Sequence, residues 1–144
     1  MKELLLVGFN TFEGGAKAAN ISENIKHLDV RVKIIKACDY NMPVGAMLDN
    51  DAFLNEHFLS NRIYSLKNDA KKSGPYNGPD PENKYIIICN IPRNELDNVL
   101  NILSESGITK NELKAVLTPV NACFSFLQLA DELSKEHKAL NRKN

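Results

Sequence analysis

Two uninterrupted apolar runs, Leu4-Leu5-Leu6-Val7 and Tyr85-Ile86-Ile87-Ile88-Cys89, restrict the fold more than any other feature of this sequence. A strand with one wet face alternates apolar and polar residues. A run without alternation needs cover on both faces, as inside a mainly parallel sheet flanked by helices. After the first run, Ala18, Ile21, Ile25 and Leu28 recur at helical spacing, and Val30 to Ala37 reads as a second strand rich in β-branched residues. A loop with Pro43 follows, then a longer helix from about Ala46 to Leu66, interrupted by Asn50 and Asp51.

The segment Ser73-Gly74-Pro75-Tyr76-Asn77-Gly78-Pro79-Asp80-Pro81 is dense in turn formers and divides the chain. Beyond it the pattern repeats. The strand Tyr85 to Cys89 leads through Pro92 to a stripe of Leu96, Val99, Leu100 and Leu103, which Gly107 is expected to stop. Leu113 to Leu117 reads as the fourth strand. Ser125 and Gln128 have the spacing of a helix cap before a last helix that runs to about Leu140.

The expectation is a single α/β domain over residues 1–144, with about four mainly parallel strands alternating with helices. It consists of a βαβα half at 1–70, a Gly/Pro-rich loop at 71–84 and a second βαβα half at 85–144. Leu4 to Val7 answers to Ile86 to Cys89, Val32 to Ile35 answers to Leu113 to Val116, and Asn41 answers to Asn121. Any two βαβ units look alike at this level, so internal duplication and coincidence both stay open.

Lys114-Ala115-Val116-Leu117-Thr118-Pro119, with the strand from Tyr85, the Leu96 to Leu100 stripe, Gly107-Ile108 and the Leu133 to His137 stretch, resembles the bacterial DUF3783 family of uncharacterised domains. The resemblance covers roughly Lys84 to Leu140 and departs at Ala122-Cys123-Phe124-Ser125. It implies a strand-helix-strand-helix fold and a cytoplasmic setting. It carries no catalytic residue across.

Basic and acidic residues balance at 18 each, so phosphate counterion release has little to act on and no nucleic-acid partner is expected. Lys135, Lys138, Arg142 and Lys143 read as the solvated end of a helix. No apolar stretch approaches membrane-spanning length, and Leu4 to Val7 is too short for a signal peptide, so no membrane association and a cytoplasmic location are expected. Cys38, Cys89 and Cys123 are widely spaced and form no metal or disulfide pattern. No metal and no cofactor are expected, since the histidines lack ligand spacing and no dinucleotide or Walker fingerprint is present.

Ligands of parallel sheets sit beyond the carboxyl ends of the strands. Those ends carry Gly8, Asn10 and Thr11; Asp39, Tyr40 and Asn41; Asn90 and Arg93; and Thr118, Asn121 and Cys123. Read as one rim, they make ligand-binding candidates of Asn10, Thr11, Asn90, Arg93, Thr118 and Asn121. Gly14 and Gly15 join them because adjacent glycines at a helix start can present N–H groups to an anion. Paired carboxylates and a Ser-His-Asp set are missing. Cys123, near a helix start, is the one weak nucleophile candidate.

The expected function is therefore a non-enzymatic module that binds a small anionic ligand or a partner. Homodimerisation is a further expectation, since it could cover the exposed edges of a small sheet. The alternative is a small enzyme using Cys123 or Arg93 on an anionic substrate. A third reading gives the Lys71 to Pro81 loop a partner contact.

Overall fold

The computed structural model describes residues 2–48 and 57–142. Its strands are β1 (Lys2–Val7), β2 (Val30–Ile34), β3 (Lys84–Cys89) and β4 (Glu112–Val116). Its α-helices are α1 (Phe12–Ile25), α2 (His57–Lys72), α3 (Arg93–Glu105) and α4 (Phe126–Arg142). The chain divides into two compact units, each drawn from both sequence halves: Met1–Ile35 with Asn83–Val116, and Lys36–Glu82 with Leu117–Asn144.

The first unit is a sheet of order β2-β1-β3-β4 with α1 and α3 on one face. β1 and β2 are parallel, β3 and β4 are parallel, and β1 meets β3 antiparallel. This gives the mainly parallel α/β sheet expected from the sequence, with one reversal at its centre. Leu4, Leu6, Ile86 and Ile88 join Ala18, Ile21 and Ile25 of α1 and Val99, Ile102 and Leu103 of α3 in one apolar cluster. Leu5, Val7, Tyr85, Ile87 and Cys89, on the opposite face, are buried as well. Burial on both faces is why neither run alternates.

The reversal creates a local two-fold relation. Lys2 pairs with Val30 and Lys84 with Glu112, so both partners are displaced by the same 82 positions. Leu5 lies opposite Ile87, its own counterpart, and so marks the axis. Gly8 (φ +87°) and Asn90 (φ +59°) also correspond, and both take the left-handed conformation that ends their strands. The repeat read from side-chain types is therefore one position out for the outer strands: Val32 answers to Lys114, not Leu113. Backbone pairing, not residue type, sets the register.

Local sequence explains the ends of the elements. Thr11 caps α1, its Oγ1 accepting from Gly14 N–H at 3.0 Å. Gly107, at φ +95°, closes α3, and the Ile108 N–H returns to the Leu103 carbonyl at 3.0 Å. β4 is tied to α1 through Glu112, which accepts from Lys17 Nζ and, at 2.8 and 2.7 Å, from the N–H and hydroxyl of Thr109.

The second unit repeats the two-fold relation. Val44 N–H donates to the Phe124 carbonyl at 2.8 Å, and Phe126 N–H donates to the Met42 carbonyl at 3.3 Å, around a bridge between Pro43 and Ser125. Met42 corresponds to Phe124 and Val44 to Phe126 at the same 82-residue displacement. Leu59 and Ile63 of α2 pack on Ala122. Gly45 permits this, since a Cβ there would lie 2.8 Å from Ile63 Cδ1.

The single helix expected from Ala46 to Leu66 is instead a 3-10 turn, Val44–Met47, and the separate α2. The interruption read at Asn50 and Asp51 lies outside the described residues, as does Lys143. α2 runs past Leu66 through a final turn in which Asp69, Lys71 and Lys72 are exposed, with cations at the carbonyl end, and Gly74 (φ +84°) then leaves the helix. The turn-rich segment after it is tied down. Tyr76 N–H donates to the Cys38 carbonyl at 3.0 Å, and the Tyr76 and Tyr40 rings lie 6.1 Å apart.

Candidate functional site

The central reversal decides where the sequence candidates fall. With β1 antiparallel to β3, the carboxyl ends of β1 and β2 leave one end of the sheet and those of β3 and β4 leave the other. Asn10 and Thr11 therefore follow β1 at one end, and Asn90 and Arg93 follow β3 at the opposite end. One rim holding all of them does not form. Thr118, Asn121 and Cys123 belong to the second unit.

Most of these groups are occupied locally. Thr11 Oγ1 takes the Gly14 N–H, and the Thr11 carbonyl takes the Gly15 N–H at 2.8 Å, so the amides that would face an anion serve the helix start. Gly14 is needed for packing: a Cβ there would lie 2.6 Å from Phe9 Cα. Thr118 and Asn121 bond one another reciprocally, with N–H to Oδ1 at 2.7 Å and N–H to Oγ1 at 3.1 Å. Buried Cys89 is no nucleophile, because burial and then the charge of Glu3 push its thiol up to about 12.

A different site is present in the second unit. A cavity of about 310 Å³ has Pro43, Leu66 and Ala70 as its apolar wall and Asn41, Cys123 and Ser125 as polar members. Asp69, Ser73 and Gln128, all exposed, complete the lining. The cavity lies at the repeat seam: under the 82-residue displacement Asn41 corresponds to Cys123, not to Asn121 as residue type suggested, and Pro43 corresponds to Ser125. A second cavity of about 300 Å³ shares Asn41 and Ala70 and adds Cys38, Asp39, Met42, Lys71, Gly74 and Pro75. Both volumes are at the lower end of the small-molecule range.

Asn41 joins the two cavities chemically. Its Nδ2 donates to the Gly74 carbonyl at 2.9 Å. Its Oδ1 is buried and has no hydrogen-bond partner among the described residues. The bond to Gly74 fixes the amide, since the flipped group would set oxygen against oxygen. The remaining acceptor costs about 1–3 kcal/mol while it stays unpaired.

Other polar groups of the larger cavity are partly used. Ser125 Oγ accepts the Gln128 N–H at 3.1 Å, the helix cap read from the sequence. Ser73 Oγ donates to the Asp69 carbonyl at 3.4 Å, and Cys123 Sγ donates weakly to the Pro119 carbonyl at 3.8 Å. Among the described residues no histidine lines either cavity. Among the described residues no three His, Cys, Asp or Glu side chains group as metal ligands, and no helix is long and apolar enough to cross a membrane.

Asn41 was legible as a strand-end residue, but Leu66, Asp69, Ala70 and Ser73 were not legible as site residues. They share a cavity with Asn41 because the face of α2 that carries Leu66 continues through Ala70 to the end of the helix.

Residues 84–140 match the family model described as a domain of unknown function, DUF3783. The matched segment is β3-α3-β4-α4, one of the two structural repeats, as the Thr118-Pro119 resemblance implied. No curated protein and no solved structure matches the chain.

Proposed function

We propose that this protein is a non-enzymatic small-ligand-binding module whose ligand occupies the cavity of the second unit at the repeat seam. The observation that carries the proposal is the cavity of about 310 Å³, in which Pro43, Leu66 and Ala70 form an apolar wall beside the polar residues Asn41, Ser125 and Gln128. A concave, partly apolar wall with a few convergent polar groups is the usual make-up of a small-molecule site. Among the described residues neither a histidine nor a carboxylate pair lines the cavity, which supports binding over general acid–base chemistry.

A thermal-shift screen of the full chain against nucleotides, sugar phosphates, amino acids and amines tests the proposal. A ligand that binds only the native state must raise the melting temperature. NMR perturbations from such a ligand are expected at Asn41, Ala70 and Ser125. Perturbations confined to Asn10, Asn90 and Arg93 would instead place the site at the sheet ends and overturn this assignment.

Cys123 supports a second reading, because its thiol shares the cavity. In that reading the module is a small enzyme with a cysteine nucleophile. Iodoacetamide labelling of Cys123 across pH separates the two. Half-maximal labelling near the ordinary thiol value of about 8.5 removes the enzyme reading.

A further inference from the structure

We infer that Asn77 is a modification site, where the Asn77–Gly78 link rearranges through a succinimide and leaves an aspartyl or isoaspartyl residue with a new carboxylate. This does not depend on the ligand cavity proposed above. Asparagine is among the chemically labile side chains. Its cyclisation is limited by how easily the next main-chain nitrogen reaches the side-chain carbonyl, and a side chain on that next residue hinders the approach. Asn77 is the one asparagine of this chain that a glycine follows.

Two features of the fold single out the same pair. The first is that the loop requires the glycine. A Cβ at position 78 would lie 2.6 Å from Tyr76 Oη and 2.8 Å from Tyr76 Cζ. Tyr76 is held in place: its hydroxyl donates to the Pro79 carbonyl at 2.6 Å, its N–H donates to the Cys38 carbonyl at 3.0 Å, and its ring lies beside that of Tyr40. Any other residue at 78 would meet the phenol, so the labile pair is built into the loop. The second feature is access. Asn77 and Gly78 are exposed, and among the described residues neither the Asn77 side chain nor the Gly78 N–H makes a hydrogen bond. Asn41 and Asn121 differ: Nδ2 of the first donates to the Gly74 carbonyl, and Oδ1 of the second accepts the Thr118 N–H. Those bonds must break before the amide can react, whereas at Asn77 none has to.

The Gly78 N–H gives its proton to solvent base as the nitrogen attacks Asn77 Cγ. The N–Cγ bond forms, the Cγ–Nδ2 bond breaks with its electron pair on nitrogen, and that nitrogen takes up a proton and leaves as ammonia. Water then opens the ring. Attack at Cγ restores the main chain as aspartyl. Attack at the Asn77 main-chain carbonyl carbon breaks its bond to the Gly78 nitrogen, and the chain then runs through Cγ as isoaspartyl. Either product is ionised at neutral pH, so the charge-balanced chain becomes net negative. The isoaspartyl form also lengthens the main chain between Tyr76 and Pro79, the span that the Tyr76 hydroxyl bridges.

The experiment incubates the full chain at mildly alkaline pH, folded and in guanidinium chloride. Peptide mass spectrometry reads the replacement of NH2 by OH and separates the aspartyl and isoaspartyl products. In the folded chain Asn77 is expected to convert before any other asparagine, at a rate within about tenfold of the denatured one, as for a segment that needs little local opening. Asn77→Gln should lose the early acidic species seen by ion exchange, because its ring would be one atom larger and closes far more slowly. Position 77 is exposed, so this variant should melt at the same temperature as the original chain. A folded rate depressed well beyond that range, toward the roughly 10³-fold or more of modification through global unfolding, overturns the inference. So does faster conversion at another asparagine, or an Asn77→Gln chain that gains the acidic species as fast as the original.

Discussion

Glu112 is buried at the start of β4, and its surroundings work against one another. Burial alone would raise its carboxyl. The hydrogen bonds from Lys17 and Thr109, with the Lys17 charge, outweigh burial and hold it at about 2 against an ordinary 4.5. A carboxyl lowered by folding contributes stability above its unfolded value, and that stability is lost as pH falls through the folded value. The window here runs from about 4.5 down to about 2. Urea unfolding across this window should show the native protein losing on the order of 1–3 kcal/mol that Glu112→Gln does not lose. Parallel profiles for the two proteins would mean that the Lys17 contact is not formed. From the sequence Glu112 was only a polar residue beside a strand, because Lys17 lies 95 positions away.

At the scale of elements, α1 shows how a glycine pair can mislead. Gly14-Gly15 between a strand and a helix has the look of an anion loop. Gly14 is in fact required because the helix start passes over the Phe9 backbone, while a Cβ at Gly15 would meet nothing within 4 Å. Gly14→Ala is expected to destabilise the protein by about 1–3 kcal/mol, since backbone must shift to admit the methyl group. Gly15→Ala should be neutral or slightly stabilising, because it improves helix propensity without a clash. Thermal unfolding of both variants checks this asymmetry, and equal effects would show that Phe9 and the helix start are not in contact. Caps and stops were legible here: Ser125 caps α4, and Gly107 closes α3. The length of α2 was not, because beyond Leu66 only Ala70 continues the apolar face, among residues that are otherwise polar.

For the molecule as a whole, the governing feature is the antiparallel join between β1 and β3. It pairs two βαβ repeats about Leu5 and Ile87 and separates strand ends that a wholly parallel sheet would bring together. Antiparallel strands place opposing Cα atoms close in alternate pairs, so NMR should give strong cross-strand Hα–Hα contacts at alternate positions of the β1–β3 register. Such contacts are absent where strands run parallel, and their absence here would overturn the central reversal. The match of one repeat to DUF3783 agrees with this division, because the family segment begins at the first residue of β3.

By itself the sequence determined the elements and their class. Unbroken apolar runs require strands covered on both faces, three- and four-residue spacing requires amphipathic helices, and glycine or a capping hydroxyl marks where they end. These are local properties, set by a few neighbouring residues. Only the tertiary structure decided strand direction, register and the site. A run such as Leu4 to Val7 is equally apolar read in either direction, so nothing in it selects a parallel or an antiparallel neighbour. Asn41, Asp69 and Ser125 meet around one cavity only after chain segments distant in sequence have packed, and that packing is the sum of many contacts no short segment contains.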